Sequence, residues 1–159
     1  MTDERPVTPA TEALDGTGVP YTVMVTQPAN SAEESAQFQD IELRQLLRTI
    51  VVRRAADDYL FVLVPGGRRF DWPKLRAHLG IKRMSLPDAD EAKAATGYER
   101  GAITPFGSIT AWPVIADAAI REVRFVAIGG GRRGVQIHIA PDDLIDATRA
   151  DVVDVTNPE

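Results

Sequence analysis

The sequence predicts an α+β domain built on a mixed, curved β-sheet with flanking helices. Three observations lead there. Apolar, β-prone segments outnumber the helical ones along the chain. Helices fall between some of the strands, without the regular alternation of a βαβ array. A chain of 159 residues, 44% of them hydrophobic, can bury one sizeable core but not two comfortable ones.

Thr8 followed by Pro9 has the form of a helix start, threonine as the cap and proline at the first helical position. That helix should end at Gly16 or Gly18. Tyr21–Thr26 alternates and is rich in Val and Thr, as a strand is. Ser31 and Glu34 have the spacing of a capping box, so a second helix should begin there. Leu46–Val52 and Tyr59–Val64 are apolar β-prone runs, and the polar Arg53–Asp58 between them predicts an antiparallel hairpin. Asp71 can cap a short helix through Leu79, with Gly80 at its C-terminal end. Pro87 opens another helix, closed by Gly97. Tyr98–Ile109 holds two glycines and a proline and fits neither period, so it reads as a loop. Val114–Ala116, Val123–Ile128 and Val135–Ile139 read as strands, and Pro141 starts a last short helix. The whole chain, 1–159, reads as one domain with residues 1–10 as a flexible lead.

Composition narrows the function classes. Cysteine is absent, which removes disulfides, thiolate nucleophiles and cysteine-based zinc sites, and fits a reducing compartment. No apolar run approaches the roughly 18–20 residues that span a bilayer. The first ten residues carry Asp3, Glu4 and Arg5 and lack the apolar stretch of a signal peptide. The expectation is a soluble, cytoplasmic protein with no membrane partner.

The net charge is −5, but its distribution says more. Residues 1–43 hold one basic and eight acidic side chains, whereas residues 44–83 hold ten basic and three acidic. Within that band Arg44, Arg53, Arg54, Arg68 and Arg69 are candidates for meeting a phosphate backbone. A solvated face is the other reading, and charge alone leaves both open.

Gly129, Gly131 and Gly134 satisfy the spacing of a dinucleotide-binding fingerprint. That chemistry needs a helix next, whose N-terminal amides hold the pyrophosphate. The alternating Val135–Ile139 follows instead, so a hairpin turn is the better reading. His78 and His138 lie on different elements without the spacing of a metal pair. Ser108 lacks the second glycine of a nucleophile elbow. Asp117 ends an apolar strand, either as a helix cap or as a polar group lining a pocket.

Several segments together resemble a known family. Thr96-Gly97-Tyr98 followed by Gly101-Ala102-Ile103-Thr104-Pro105 is similar to the Thr-Gly-Tyr and Gly-x-x-x-Pro loop of the YbaK-like aminoacyl-tRNA editing domains. Leu47–Val52 resembles the family's Lys-Thr-Leu-Leu-Val strand, and Asp71–Gly80 its Leu-Asp-x-x-Lys-Leu helix. Pro113–Asp117 resembles its Pro-x-x-x-Asp strand. Gly129–Gly134, the strand after it and Pro141-Asp142-Asp143-Leu144 resemble its closing hairpin and helix. The likeness runs in the family's order from about Thr11 to Val155.

The resemblance implies a barrel-like mixed sheet and hydrolysis of the ester joining a wrong amino acid to the 3′ end of tRNA. It implies a free-standing enzyme acting in trans, with aminoacyl-tRNA as substrate and an aminoacyl-tRNA synthetase as a further partner. No cofactor or metal is called for. Arg48, Gly101 and Pro105 take the catalytic positions, and Thr104, Phe106, Asp117, Gln136 and His138 the substrate pocket. The arginine band takes the tRNA. Gly101 lets backbone groups approach the ribose and the ester, and Pro105 holds the loop's shape. Arg48 departs from the family's lysine: it keeps the charge but is bulkier and never gives up its proton. That departure leaves a second reading, a catalytically silent tRNA- or synthetase-binding module of the same fold. In prolyl-synthetase editing domains a histidine sits where this chain has Gln136, which leaves the favoured amino acid open.

Overall fold

The computed structural model describes residues 5–159. The expected flexible lead thus lies outside the described residues at 1–4. From Arg5 onward the chain is described, and Thr8 and Ala10 are already buried. The first helix, α1 (Pro9–Thr17), starts as expected: Thr8 accepts the Thr11 amide, and Thr11 in turn accepts the Thr8 amide. Gly18, in the left-handed conformation at φ 76°, ends it.

After β1 (Thr22–Val25), Ser31 caps α2 (Ala32–Gln39) by accepting the Glu34 amide. Glu34 reaches back one residue further than a capping box requires, to the Asn30 amide. The hairpin forms as β2 (Leu47–Ala55) and β3 (Asp58–Pro65), antiparallel. A short strand, β4 (Arg68–Phe70), precedes α3 (Trp72–Leu79), which Asp71 caps. Pro87 does not open the next helix. Asp88 does, by accepting the Glu91 amide, and α4 covers Ala89–Thr96. β5 (Val114–Asp117) leads into a 3-10 turn over Ala118–Glu122, so β6 is confined to Val126–Gly129 rather than starting at Val123. β7 (Val135–Ile139) and α5 (Pro141–Thr148) follow as expected. Two three-residue strands, β8 (Asp151–Val153) and β9 (Thr156–Pro158), close the chain.

Among the described residues the strands form three sheets, none of them closed, in the orders β1-β7-β6, β2-β3-β5-β8 and β4-β9. The four-stranded sheet is mixed: β2 and β3 are antiparallel, while β5 runs parallel to both β3 and β8. β3 is its pivot, buried almost from end to end, which explains its unbroken apolar run. Tyr59, Phe61 and Leu63 face the larger core, with Leu47 and Val51 of β2 and Val126, Ile128, Ile137 and Ile139 of the three-stranded sheet. Leu60, Val62 and Val64 face a second core against Leu75 of α3. Each fully buried side chain of this size contributes roughly 1.5–3 kcal/mol by leaving water. Two packed layers therefore fix β2 from both faces and leave its outer edge open between the isolated bridges Leu46–Ala127 and Arg53–Ser85.

Candidate functional site

That open edge is the wall of a cleft of about 490 Å³. Leu46 and Leu47–Val51 of β2 line it on one side, with the cap Ser31 and Ala32 and Ser35 of α2, and the cap Asp88 and Ala89 and Ala92 of α4, around it. Arg100, Gly101 and Ile103 come from the loop, and Gly129, Arg133, Gly134 and Gln136 from the β6–β7 hairpin. The direction of the β2 backbone follows from its neighbours. The Arg53 amide and carbonyl pair with Ser85 on the outer side, at 2.8 and 3.0 Å. The Leu46 carbonyl instead accepts from Gly66, on the β3 side. Backbone direction alternates along a strand, so Thr49 and Val51 turn their amides and carbonyls outward, toward the cleft. The Thr49 hydroxyl is buried and has no hydrogen-bond partner, which leaves it free for a ligand.

The loop is shaped by three contacts. Ala102 donates to the Glu99 carbonyl at 2.9 Å, closing a tight turn with Gly101 in its third position at φ 90°. Only glycine takes such a backbone without strain. Tyr98 crosses the loop and donates to the Phe106 carbonyl at 2.6 Å, and burial pushes its phenol up to about 12. At Gly129 a side chain would stand 3.1 Å from the Ile103 carbonyl, so the hairpin and the loop touch backbone to backbone. Gly129 ends β6, and Gly130–Gly134 form the hairpin turn as expected, with Gly130 donating to the Val135 carbonyl at 2.8 Å. This contact carries Arg133 over Gly101: a Cβ on Gly101 would lie 3.4 Å from Arg133 Nε.

Of the expected site residues, the cleft gathers Arg48, Gly101 and Gln136. Arg48 is exposed and its guanidinium donates to the Arg68 carbonyl at 3.2 Å. Pro105 is half-buried and outside the lining. Thr104 is fully buried with its hydroxyl unpartnered, and Phe106 belongs to the larger core; both lie behind the loop.

Asp117 is not at the cleft's edge. It is 1% exposed, and its carboxylate accepts the amides of Ala119 at 3.0 Å and Val155 at 2.9 Å, with Arg68 Nε 3.5 Å away. Gln136 and His138 do share one face of β7, yet only Gln136 reaches the cleft. His138 stacks on Phe125 and lines a separate hollow with Pro20 and Tyr21. Its Nε2 lies 2.7 Å from Gln39 Oε1. Gln39 donates its amide to Ser35, so the oxygen faces the ring and His138 presents an Nε2–H. Burial holds its pKa below the ordinary histidine value.

The arginine band divides differently from its expected role. Arg44 pairs with Glu42 at 2.6 Å, Arg53 with Glu91 at 3.2 Å and Arg54 with Asp58 at 2.7 Å. Arg68 faces Asp117 and donates to Thr156. Of the five, only Arg69 stands outside an ion pair among the described residues. Composition did not single out Thr49, Arg100 and Arg133 as site residues, because nothing local distinguishes them from any other polar residue. Tyr98 stands in the Thr-Gly-Tyr segment, which was the signal for it, and its buried hydroxyl holds the loop.

Fold and cleft together define an α+β domain that presents a strand edge, a glycine turn and a basic hairpin to one pocket. Residues 26–147 match the family model described as the aminoacyl-tRNA editing domain, and the chain belongs to that family. A protein of Enterococcus faecalis named as a Cys-tRNA(Pro)/Cys-tRNA(Cys) deacylase, EbsC, is 26% identical over 129 residues, 81% of this chain and 79% of that protein. The proline–tRNA ligase of Thermosipho melanesiensis is 26% identical over 136 residues, which are 84% of this chain but only 23% of the ligase. A solved structure described as a trans-editing enzyme for prolyl-tRNA synthetase superimposes with a TM-score of 0.86 at 25% identity. It covers 94% of this chain and 95% of that one. The mixed α+β fold is therefore that of an editing domain. No described helix is long and apolar enough to cross a membrane.

Proposed function

We propose that this protein hydrolyses the ester between a small, wrongly attached amino acid and the 3′ end of tRNA, acting in trans. One observation carries the reading: Arg48, the Gly101 turn and Gln136, from three distant parts of the sequence, line a single cleft beside an open strand edge. The named activity of EbsC and the family membership support it.

In this reading water attacks the ester carbonyl carbon, the bond to the ribose oxygen breaks, and that oxygen takes a proton. The products are free amino acid and uncharged tRNA. Backbone N–H groups of the Gly101 turn and of the β2 edge stabilise the oxyanion, a role that fixed dipoles fill without a side-chain nucleophile. Arg48 acts as an electrostatic clamp, and Pro105, Thr104 and Phe106 hold the loop from behind. Gln136 and the alanines of α2 and α4 bound the space for the amino-acid side chain, a size test worth about 10–200-fold. Asp117, with its oxygens engaged, and His138, in its own hollow, stand outside the chemistry.

Incubation of the purified protein with tRNAs charged with Ala, Ser, Cys or Pro tests the proposal. Ester loss above buffer is expected for at least one of them. Retention of intact charged tRNA, with hydrolysis appearing only in Arg48→Lys, would establish the silent binding module instead.

A further inference from the structure

The cleft is the positive focus of an acidic protein. Among its lining residues the charged ones are Arg48, Asp88, Arg100 and Arg133, three cations against one carboxylate, while the whole chain carries −5. Asp88 already spends one oxygen capping α4. Arg100 and Arg133 are exposed, and neither has a carboxylate within ion-pair distance among the described residues. They also converge. Arg100 immediately precedes Gly101 in the turn, and the Arg133 stem passes over Gly101, with Cγ 3.6 Å and Cδ 3.7 Å from the position of a Cβ there. Two arginines without carboxylate partners on either side of one glycine suit a phosphate, which arginine binds in a bidentate, charge-assisted manner. The ion-paired band of Arg44, Arg53 and Arg54 has no such free valence.

We infer that Arg100 and Arg133 form a clamp for the last phosphodiester of the tRNA strand, at the mouth of the cleft. The identity of the ligand rests on the deacylase reading. An ester held beside Gly101 leaves that phosphate one ribose away, where the two guanidinium groups start. Their part is positioning, and they take no share in bond breaking. A localised positive mouth on an acidic surface also steers the anionic strand to the cleft and away from the rest of the molecule.

The test compares wild type, Arg100→Ala, Arg133→Ala and Arg133→Lys on two substrates. One is alanyl-tRNA, and the other is alanyl-adenosine, which has the ester and ribose but no phosphate. Both alanine variants should lose about tenfold or more in kcat/KM on alanyl-tRNA, chiefly through KM, corresponding to about 1.4 kcal/mol. Removing both side chains together should flatten the log–log salt dependence by roughly 0.7–0.9, the share of the one phosphate they hold. On alanyl-adenosine both alanine variants should match wild type, and Arg133→Lys should recover part of the loss on tRNA. Equal losses on the two substrates, or no loss on tRNA, would overturn the clamp. If wild type cleaves none of the Ala, Ser, Cys and Pro esters, the deacylase reading falls and binding of a short oligonucleotide ending in CCA decides the clamp. Weaker binding by both alanine variants supports it, and unchanged binding overturns it.

Discussion

Asp117 accepts the amide of Val155 at 2.9 Å and so ties the end of β5 to the link between β8 and β9. The same carboxylate caps the 3-10 turn through Ala119 and faces Arg68, whose Nε donates to Thr156. A single buried acid thus joins three segments that the chain keeps far apart. Replacing it with alanine leaves buried amides without an acceptor, at a cost of about 2 kcal/mol. For a chain of this length that is a fall in Tm of about 4–8 °C. Thermal unfolding of Asp117→Ala should show the drop while KM for charged tRNA stays near wild type. A large rise in KM with an unchanged Tm would place Asp117 in the pocket after all.

Gly101 sits at φ 90°, so even alanine strains the turn, by roughly 1–2 kcal/mol. Its new Cβ also meets Arg133 at 3.4 Å. Gly101→Ala should stay folded by circular dichroism, with a Tm a few degrees lower, and should lose most of its deacylation. A folded variant with undiminished turnover would remove the turn from the mechanism.

His138 titrates below the usual histidine range because burial disfavours its charged form. The sign of the linkage follows. Above the unfolded value of 6.5 the ring is neutral in both states and stability is unaffected. As the pH falls below 6.5 the unfolded chain takes up the proton first, so stability declines until the folded pKa is reached. Chemical denaturation at stepped pH should show wild type losing more stability on acidification than His138→Gln. An NMR titration should place the His138 midpoint below the ordinary value; a midpoint above it would reverse the argument.

Arg44 and Arg54 hold their charges against neighbouring carboxylates on the surface, where such pairs are worth about 0–1 kcal/mol. Arg44→Ala and Arg54→Ala should therefore leave the fold intact and change tRNA affinity by less than about threefold. Filter binding at two salt concentrations reads both values. A steep loss of salt dependence in either variant would return the band to the tRNA interface.

Much of this architecture is local, and the sequence by itself determined it. The caps Thr8, Ser31 and Asp71, the β2–β3 hairpin and the strand after Gly134 were legible because each depends on neighbours within a few residues. The family resemblance, carried by short segments, assigned Arg48, Gly101 and Gln136 to one site, although their meeting in a cleft is not local. β4, β8 and β9 escaped because three residues show no period. Arg68–Phe70 becomes a strand only by pairing with Thr156–Pro158, and Asp151–Val153 only by lying beside β5. Tertiary structure decided the rest of which polar groups remain free. Arg53 is neutralised by Glu91 and Asp117 is turned inward to Val155, both across long stretches of chain, while Arg133 is carried onto Gly101 unpaired. A charge becomes available to a ligand only when folding brings it no partner of its own; Arg44 and Arg54 find theirs within four residues, whereas the partners of Arg53 and Arg68 arrive only through contacts no local pattern encodes.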